Sequence, residues 1–148
     1  MTDSSDLNRF LIAQNLNNLY EIAHQELQNG QKVGHWMWFI FPQLRGLGSS
    51  EKSIFYGIAS RNEALSYLQH KVLGKRLSEC VQLVMQIPHR DMDRTLGIID
   101  ARKLCSCMTL FELAATSPVQ QEPFQKVLEN LYGGMRDPQT IALWNTLQ

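Results

Sequence analysis

Gly34-His35-Trp36-Met37-Trp38-Phe39-Ile40-Phe41-Pro42 is the stretch on which the fold class turns. It is apolar on every side, so periodicity alone does not separate a buried helix from a buried strand. Its aromatic residues favour a strand. The segments around it favour a helix, and Pro42 supplies the stop, because the residue before a proline is pushed out of helical backbone. A short buried helix is therefore expected. A loop follows, Gln43-Leu44-Arg45-Gly46-Leu47-Gly48-Ser49-Ser50, with two glycines and two hydroxyls.

Working back from this stretch, Ile12, Leu16, Leu19, Ala23 and Leu27 recur at helical spacing. They predict one helix over about residues 7–28, capped by Asp6 and ended by Asn29-Gly30. Residues 1–5 read as a flexible tail. Working forward, Ser49 or Ser50 starts a short helix to Tyr56, and Ser60-x-x-Glu63 is a capping box for a helix over about 61–70. A longer helix over about 72–87 carries Leu73, Leu77, Cys80, Val81, Val84 and Ile87 inward and stops at Pro88. Asp91 caps a turn through Leu96. Asp100 is read as the cap of a helix over about 101–115, with Leu104, Met108, Phe111 and Ala115 buried. Thr116-Ser117-Pro118 breaks the chain, Pro123 fits the first turn of a helix ending at Tyr132, and Gly133-Gly134 stops it. Asp137-Pro138 starts the last helix, with Ile141, Leu143, Trp144 and Leu147. The sum is an all-α single domain over residues 1–148, an irregular bundle of about seven to nine mostly short helices.

The 148 residues include 14 Lys+Arg and 14 Asp+Glu, so the net charge is zero and nothing global favours nucleic acid. Cys80, Cys105 and Cys107 are an odd number with no framework spacing, which points to free thiols in a reducing compartment. The N-terminus is acidic without an apolar core, so it is no signal peptide, and the apolar run 36–41 is too short to span a bilayer. A cytoplasmic location is the default. His24, His35, His70 and His89 have no metal-ligand spacing. No cofactor or metal is expected.

Two segments combine polar and apolar residues beyond what packing needs. In 34–50, Trp36 and Trp38 are either core or an aromatic wall for a flat ligand. Gln43 and Arg45 flank them, one suited to an amide or base edge, the other to a phosphate or carboxylate. Gly46, Gly48, Ser49 and Ser50 resemble a phosphate cradle leading into a helix, without the lysine of a P-loop. His35 is a weak acid–base candidate. In 97–111, Asp100, Lys103, Ser106 and Thr109 fall three apart and would form one polar stripe. Lys103 would face an anion, with Asp100 as its base or orienter.

These residues carry a family resemblance. Arg9-Phe10 with Ala13-Gln14, the run from His35 to Ser50, Tyr56-Gly57-Ile58, Ala64-x-x-Tyr67-Leu68, Leu73-Gly74-x-Arg76-Leu77, Gly97-x-x-Asp100-x-x-Lys103-Leu104 and Ser106-x-Met108-Thr109-Leu110-Phe111 together resemble the domain-of-unknown-function 1810 family over nearly the whole chain. The resemblance implies a small, mainly helical bacterial protein standing alone, and supplies no activity. Some members carry the name calpastatin, but nothing in this chain reads as a protease-inhibitor repeat. The family's Arg-Ser-Ser-Met after Lys103-Leu104 is Cys105-Ser106-Cys107-Met108 here, which weakens a phosphate role at 105.

Two functions compete. An interaction or regulatory domain would show an exposed apolar patch, around Trp36 or Trp144, and no convergent polar pocket. A site that binds or hydrolyses a nucleotide-like or ADP-ribose-like molecule would bring His35, Arg45, Asp100 and Lys103 to one cleft.

Overall fold

The structure, a computed structural model, describes residues 7–148. The expected tail and the Asp6 cap lie outside the described residues. The fold is all-α: the described residues form no strand, only an isolated parallel bridge between Leu44 and Ile58.

The first expected helix is broken. α1 (Asn8–Asn15) and α2 (Leu19–Asn29) are joined by a 3-10 turn, Leu16–Asn18. Asn17 and Asn18 take left-handed backbone (φ 51° and 60°), which asparagine tolerates better than most residues. The break shifts the helical phase. Ile12 and Leu16 are therefore 68% and 56% exposed rather than inward, and α1 buries Phe10, Ala13 and Gln14 instead. Beyond the break Tyr20, Ala23 and Leu27 face the core, and Gly30 closes α2 with a left-handed cap (φ 72°).

The aromatic run forms the expected single turn, α3 (Met37–Ile40). Trp36, Met37, Phe39, Ile40 and Phe41 are buried. Trp38 is half-buried. Local capping chemistry starts α4 (Glu51–Phe55) at Ser50, α5 (Arg61–Gln69) at Ser60, α7 (Met92–Leu96) at Asp91 and α10 (Pro138–Thr146) at Asp137. In each, the side-chain oxygen accepts a backbone N–H three residues on. α6 (Leu73–Met85) buries its expected stripe.

Two boundaries differ from expectation. α8 (Ile98–Ala114) begins before Asp100, with Gly97 (φ 89°) at its cap position and Asp100 in its first turn. α9 (Pro118–Leu131) begins at Pro118, capped by Ser117, so Pro123 falls inside it. Both prolines suit a first turn; the Ser117 hydroxyl, which accepts the Gln120 N–H at 3.1 Å, decides between them.

α8 is the central helix. It packs against α5, α7, α9 and α10, while α6 packs against α2, α5 and α9. A file of rings crosses the core from α1 to α9: Phe10 meets Tyr67 edge-on at 5.1 Å, Tyr67 meets Phe111 at 5.4 Å, and Phe111 meets Phe124 at 5.8 Å. The buried polar groups are matched. Gln14 donates to the Phe39 carbonyl at 2.7 Å and accepts from Arg76 at 3.1 Å. The Arg9 guanidinium grips Glu63 with two bonds, 2.9 and 3.1 Å.

Glu26 anchors the entry to α3. One carboxylate oxygen accepts from the Val33 N–H (2.8 Å), the Gly34 N–H (3.0 Å) and the Trp36 indole (2.8 Å). Burial opposes ionisation here. The Gly34, Val33 and Trp36 donors and the nearby Lys32 together outweigh it and hold the carboxyl below its usual range. A depressed folded pKa stabilises above the unfolded titration, about pH 4.3, and that contribution fades as pH falls through the folded value. Glu26→Gln is thus expected to lose stability at pH 7 and to converge with the wild type only as pH falls through the folded value, below the usual carboxylate range. Urea midpoints across pH 2–7 test this; a constant gap would refute it.

Candidate functional site

The two segments singled out in the sequence do meet. They line a cleft of about 840 Å3, within the usual size range of small-molecule pockets. Its first wall is 38–53. After Pro42 the chain is pinned to residue 58: the Ile58 N–H donates to the Gln43 carbonyl (2.8 Å) and the Arg45 N–H to the Ile58 carbonyl (2.9 Å). Only glycine permits this approach, because a Cβ on Gly57 would lie 2.7 Å from the Arg45 Cα and from the Ser53 carbonyl oxygen. The pinned segment carries Gln43 into the cleft beside Trp38, and Gly48, Ser49 and Ser50 follow on the way into α4.

The second wall is the outer face of α8. Lys103 lies with its ammonium 3.5 Å from the centre of the Trp38 ring, a cation–π contact that ties the two walls together. Asp100 sits behind, 3.5 Å from Lys103 and 2.9 Å from Lys32. Arg102 is exposed and lines the cleft. Its guanidinium makes no hydrogen bond or ion pair among the described residues.

The third wall, residues 132–139, was missed in the sequence, where it reads as a helix stop and a cap. Gly133 and Gly134 (φ 61° and 81°) turn the chain back. Arg136 forks onto Glu112 (3.0 and 2.6 Å). Asp137 accepts from Ser106 (2.9 Å) and from the Thr140 hydroxyl (2.5 Å) and N–H (3.3 Å). That carboxylate is therefore committed to capping α10. The only signal for this wall was Arg136, two residues after a glycine pair.

Among the sequence candidates, Trp38, Gln43, Gly48, Ser49, Ser50, Lys103 and Ser106 line the cleft. The others do not. Trp36 is core. Arg45 is exposed and donates to the Ile54 carbonyl at 2.9 Å. Gly46 is a left-handed turn residue (φ 109°) facing Leu143. Thr109 is fully buried, bonded to the Cys105 carbonyl at 2.8 Å and accepting the Asp137 N–H at 3.0 Å; it leaves the expected polar stripe because α8 is buried on more than one side. His35 is exposed and lies away from the cleft lining. Asp100 reaches the site only through Lys103. The expected convergence of His35, Arg45, Asp100 and Lys103 is therefore replaced by Lys103 with Arg102 and Arg136.

Chemically the cleft is cationic. Its thiol and phenol are held protonated: burial, then Asp137, pushes the Cys105 thiol up, and burial pushes the Tyr132 phenol up. Away from the cleft, Cys80 is pushed up to about 12 by burial, and Cys107 is raised well above the usual thiol value. No thiol is poised as a nucleophile. All three cysteines are free. No helix of the described residues is long and apolar enough to cross a membrane.

The fold and cleft define a small all-α protein with a cationic recess on its central helix. The chain belongs to the DUF1810 family of proteins of unknown function, whose model matches residues 4–144. It is similar to a solved structure, the crystal structure of the conserved hypothetical protein Rv1873 from Mycobacterium tuberculosis. The two are 48% identical, with a TM-score of 0.89, covering 95% of this chain and 96% of that one. No curated protein matches the chain.

Proposed function

We propose that the cleft binds a small anionic ligand with a planar group, of the nucleotide-like or ADP-ribose-like class. The observation that carries the reading is the Lys103–Trp38 pair facing an unpartnered Arg102 in one recess. Arg102 supplies a planar fork for phosphate or carboxylate, the serines at 49 and 50 add hydroxyls, and Gln43 suits a base edge. The ionisable groups favour recognising charge over moving a proton, so the reading is binding first and hydrolysis second.

An interaction or regulatory role is the second reading. It draws on Ile99 and Met135, which line the cleft yet are 72% and 71% exposed. Trp36 and Trp144, the expected centre of an apolar patch, are buried. The free thiols fit a reducing compartment, and the cytoplasm is the proposed location.

Calorimetric titration with ADP and ADP-ribose tests the ligand reading. Losing a charge-assisted hydrogen bond costs about 1.5–3 kcal/mol, so Arg102→Ala is expected to weaken binding about tenfold or more without lowering the thermal midpoint. No binding of either compound at millimolar concentration, or equal binding by the variant, refutes the reading.

A further inference from the structure

The ammonium of Lys103 lies 3.5 Å over the Trp38 ring, too close to leave room for another ring on that side. Trp38 lines both the main cleft and an adjoining small recess of about 20 Å3 bounded in part by Leu44 and Tyr56; Lys103 lines the main cleft and not the small recess. Because Lys103 and Trp38 line the same cleft, the ammonium occupies indole surface that a ligand there would need for stacking. The aromatic wall is closed by the protein's own cation.

We propose that Lys103 makes the cleft select phosphorylated over unphosphorylated planar ligands, by covering Trp38 until an anion draws its ammonium away. This rests on the cleft being a nucleotide-like site. A molecule with a ring and no charge competes with the ammonium for the indole face. A molecule carrying both gives the ammonium a new partner and takes the ring it vacates. The move is cheap on the protein side because Asp100 keeps its shorter pair with Lys32, 2.9 Å against 3.5 Å to Lys103. Releasing Lys103 therefore strands no carboxylate. Lys32 is itself fixed, donating to the Gly34 carbonyl at 2.6 Å, so it stays behind when Lys103 swings. Lys103 is in this sense a specificity-determining residue: discrimination comes from what it blocks as much as from what it binds.

The test compares ADP with adenosine by calorimetry on the wild type, Lys103→Ala and Lys103→Arg. The wild type is expected to bind ADP at least tenfold more tightly than adenosine. Lys103→Ala should bind adenosine at least tenfold more tightly than the wild type does, with a narrowed gap between the two ligands. Lys103→Arg, which keeps a cation over the ring, should restore the wild-type preference. The indole N–H resonance of Trp38 should move in Lys103→Ala while that of Trp36, held by Glu26, stays in place and certifies the fold. Unchanged adenosine affinity in Lys103→Ala overturns the covering role, and ADP binding by the wild type then leaves the cleft reading intact. Adenosine binding by Lys103→Ala with no ADP binding by the wild type overturns the selection of phosphorylated ligands. Binding of neither compound to any form overturns both.

Discussion

Glu63→Ala is expected to cost about 3–5 kcal/mol, the usual result of removing one member of a buried ion pair. Glu63 is 1% exposed and its partner Arg9 10%. Both carboxylate oxygens are engaged by the guanidinium, and one also accepts the Ala59 N–H at 2.8 Å. The same guanidinium donates to the Phe55 carbonyl at 2.8 Å and the Gly57 carbonyl at 2.9 Å. Truncating Glu63 therefore takes two charge-assisted bonds from a largely buried guanidinium and leaves the Ala59 amide without its acceptor. Replacing both partners with apolar residues, Arg9→Met with Glu63→Leu, should recover part of the loss, because the two members of this pair are then removed together. Urea unfolding of the single and double variants gives the result directly. A loss below about 1 kcal/mol, the value of exposed pairs, would show that the site is more hydrated than its burial indicates.

Trp36→Ala is the second large effect, again about 3–5 kcal/mol. The indole is fully buried, its ring centre 6.4 Å from that of Phe41. Truncation empties a large volume and also removes a donor from Glu26. Trp36→Phe keeps most of the apolar volume and should cost clearly less. The pair also separates core from site. Trp36→Phe is expected to leave ADP binding unchanged, whereas Trp38→Ala should abolish it. Equal weakening of binding by the two variants would mean that the core tryptophan, not the cleft one, governs the recess.

That contrast explains what was legible in the sequence. Starts set by local chemistry were readable, because Ser50, Ser60, Asp91 and Asp137 each cap a helix through a bond spanning three residues. The break at Asn17-Asn18 was not readable, because the apolar spacing runs across it unperturbed and only the three-dimensional packing of Phe10 and Gln14 shows that the phase has changed. At the site, the glycine-serine loop, Trp38, Gln43, Lys103 and Ser106 stood out by type. Trp36 and Trp38 could not be told apart, since two residues in one short turn point in very different directions and only the tertiary fold says which direction is inward. Arg45 looked like an anion ligand, but its guanidinium is drawn to the Ile54 carbonyl. The wall at 132–139 was hidden because its glycines and aspartate already had sufficient local explanations.

The recess draws its walls from residues near 43, 103 and 136, stretches far apart along the chain. During synthesis from the amino terminus, the aromatic turn and the central helix are complete well before the last wall emerges. The proposed ligand would therefore find no complete recess on a growing polypeptide and would bind only after the carboxy-terminal helix has docked. An occupant of the kind proposed would be a clasp on the finished molecule and would take no part in guiding its assembly.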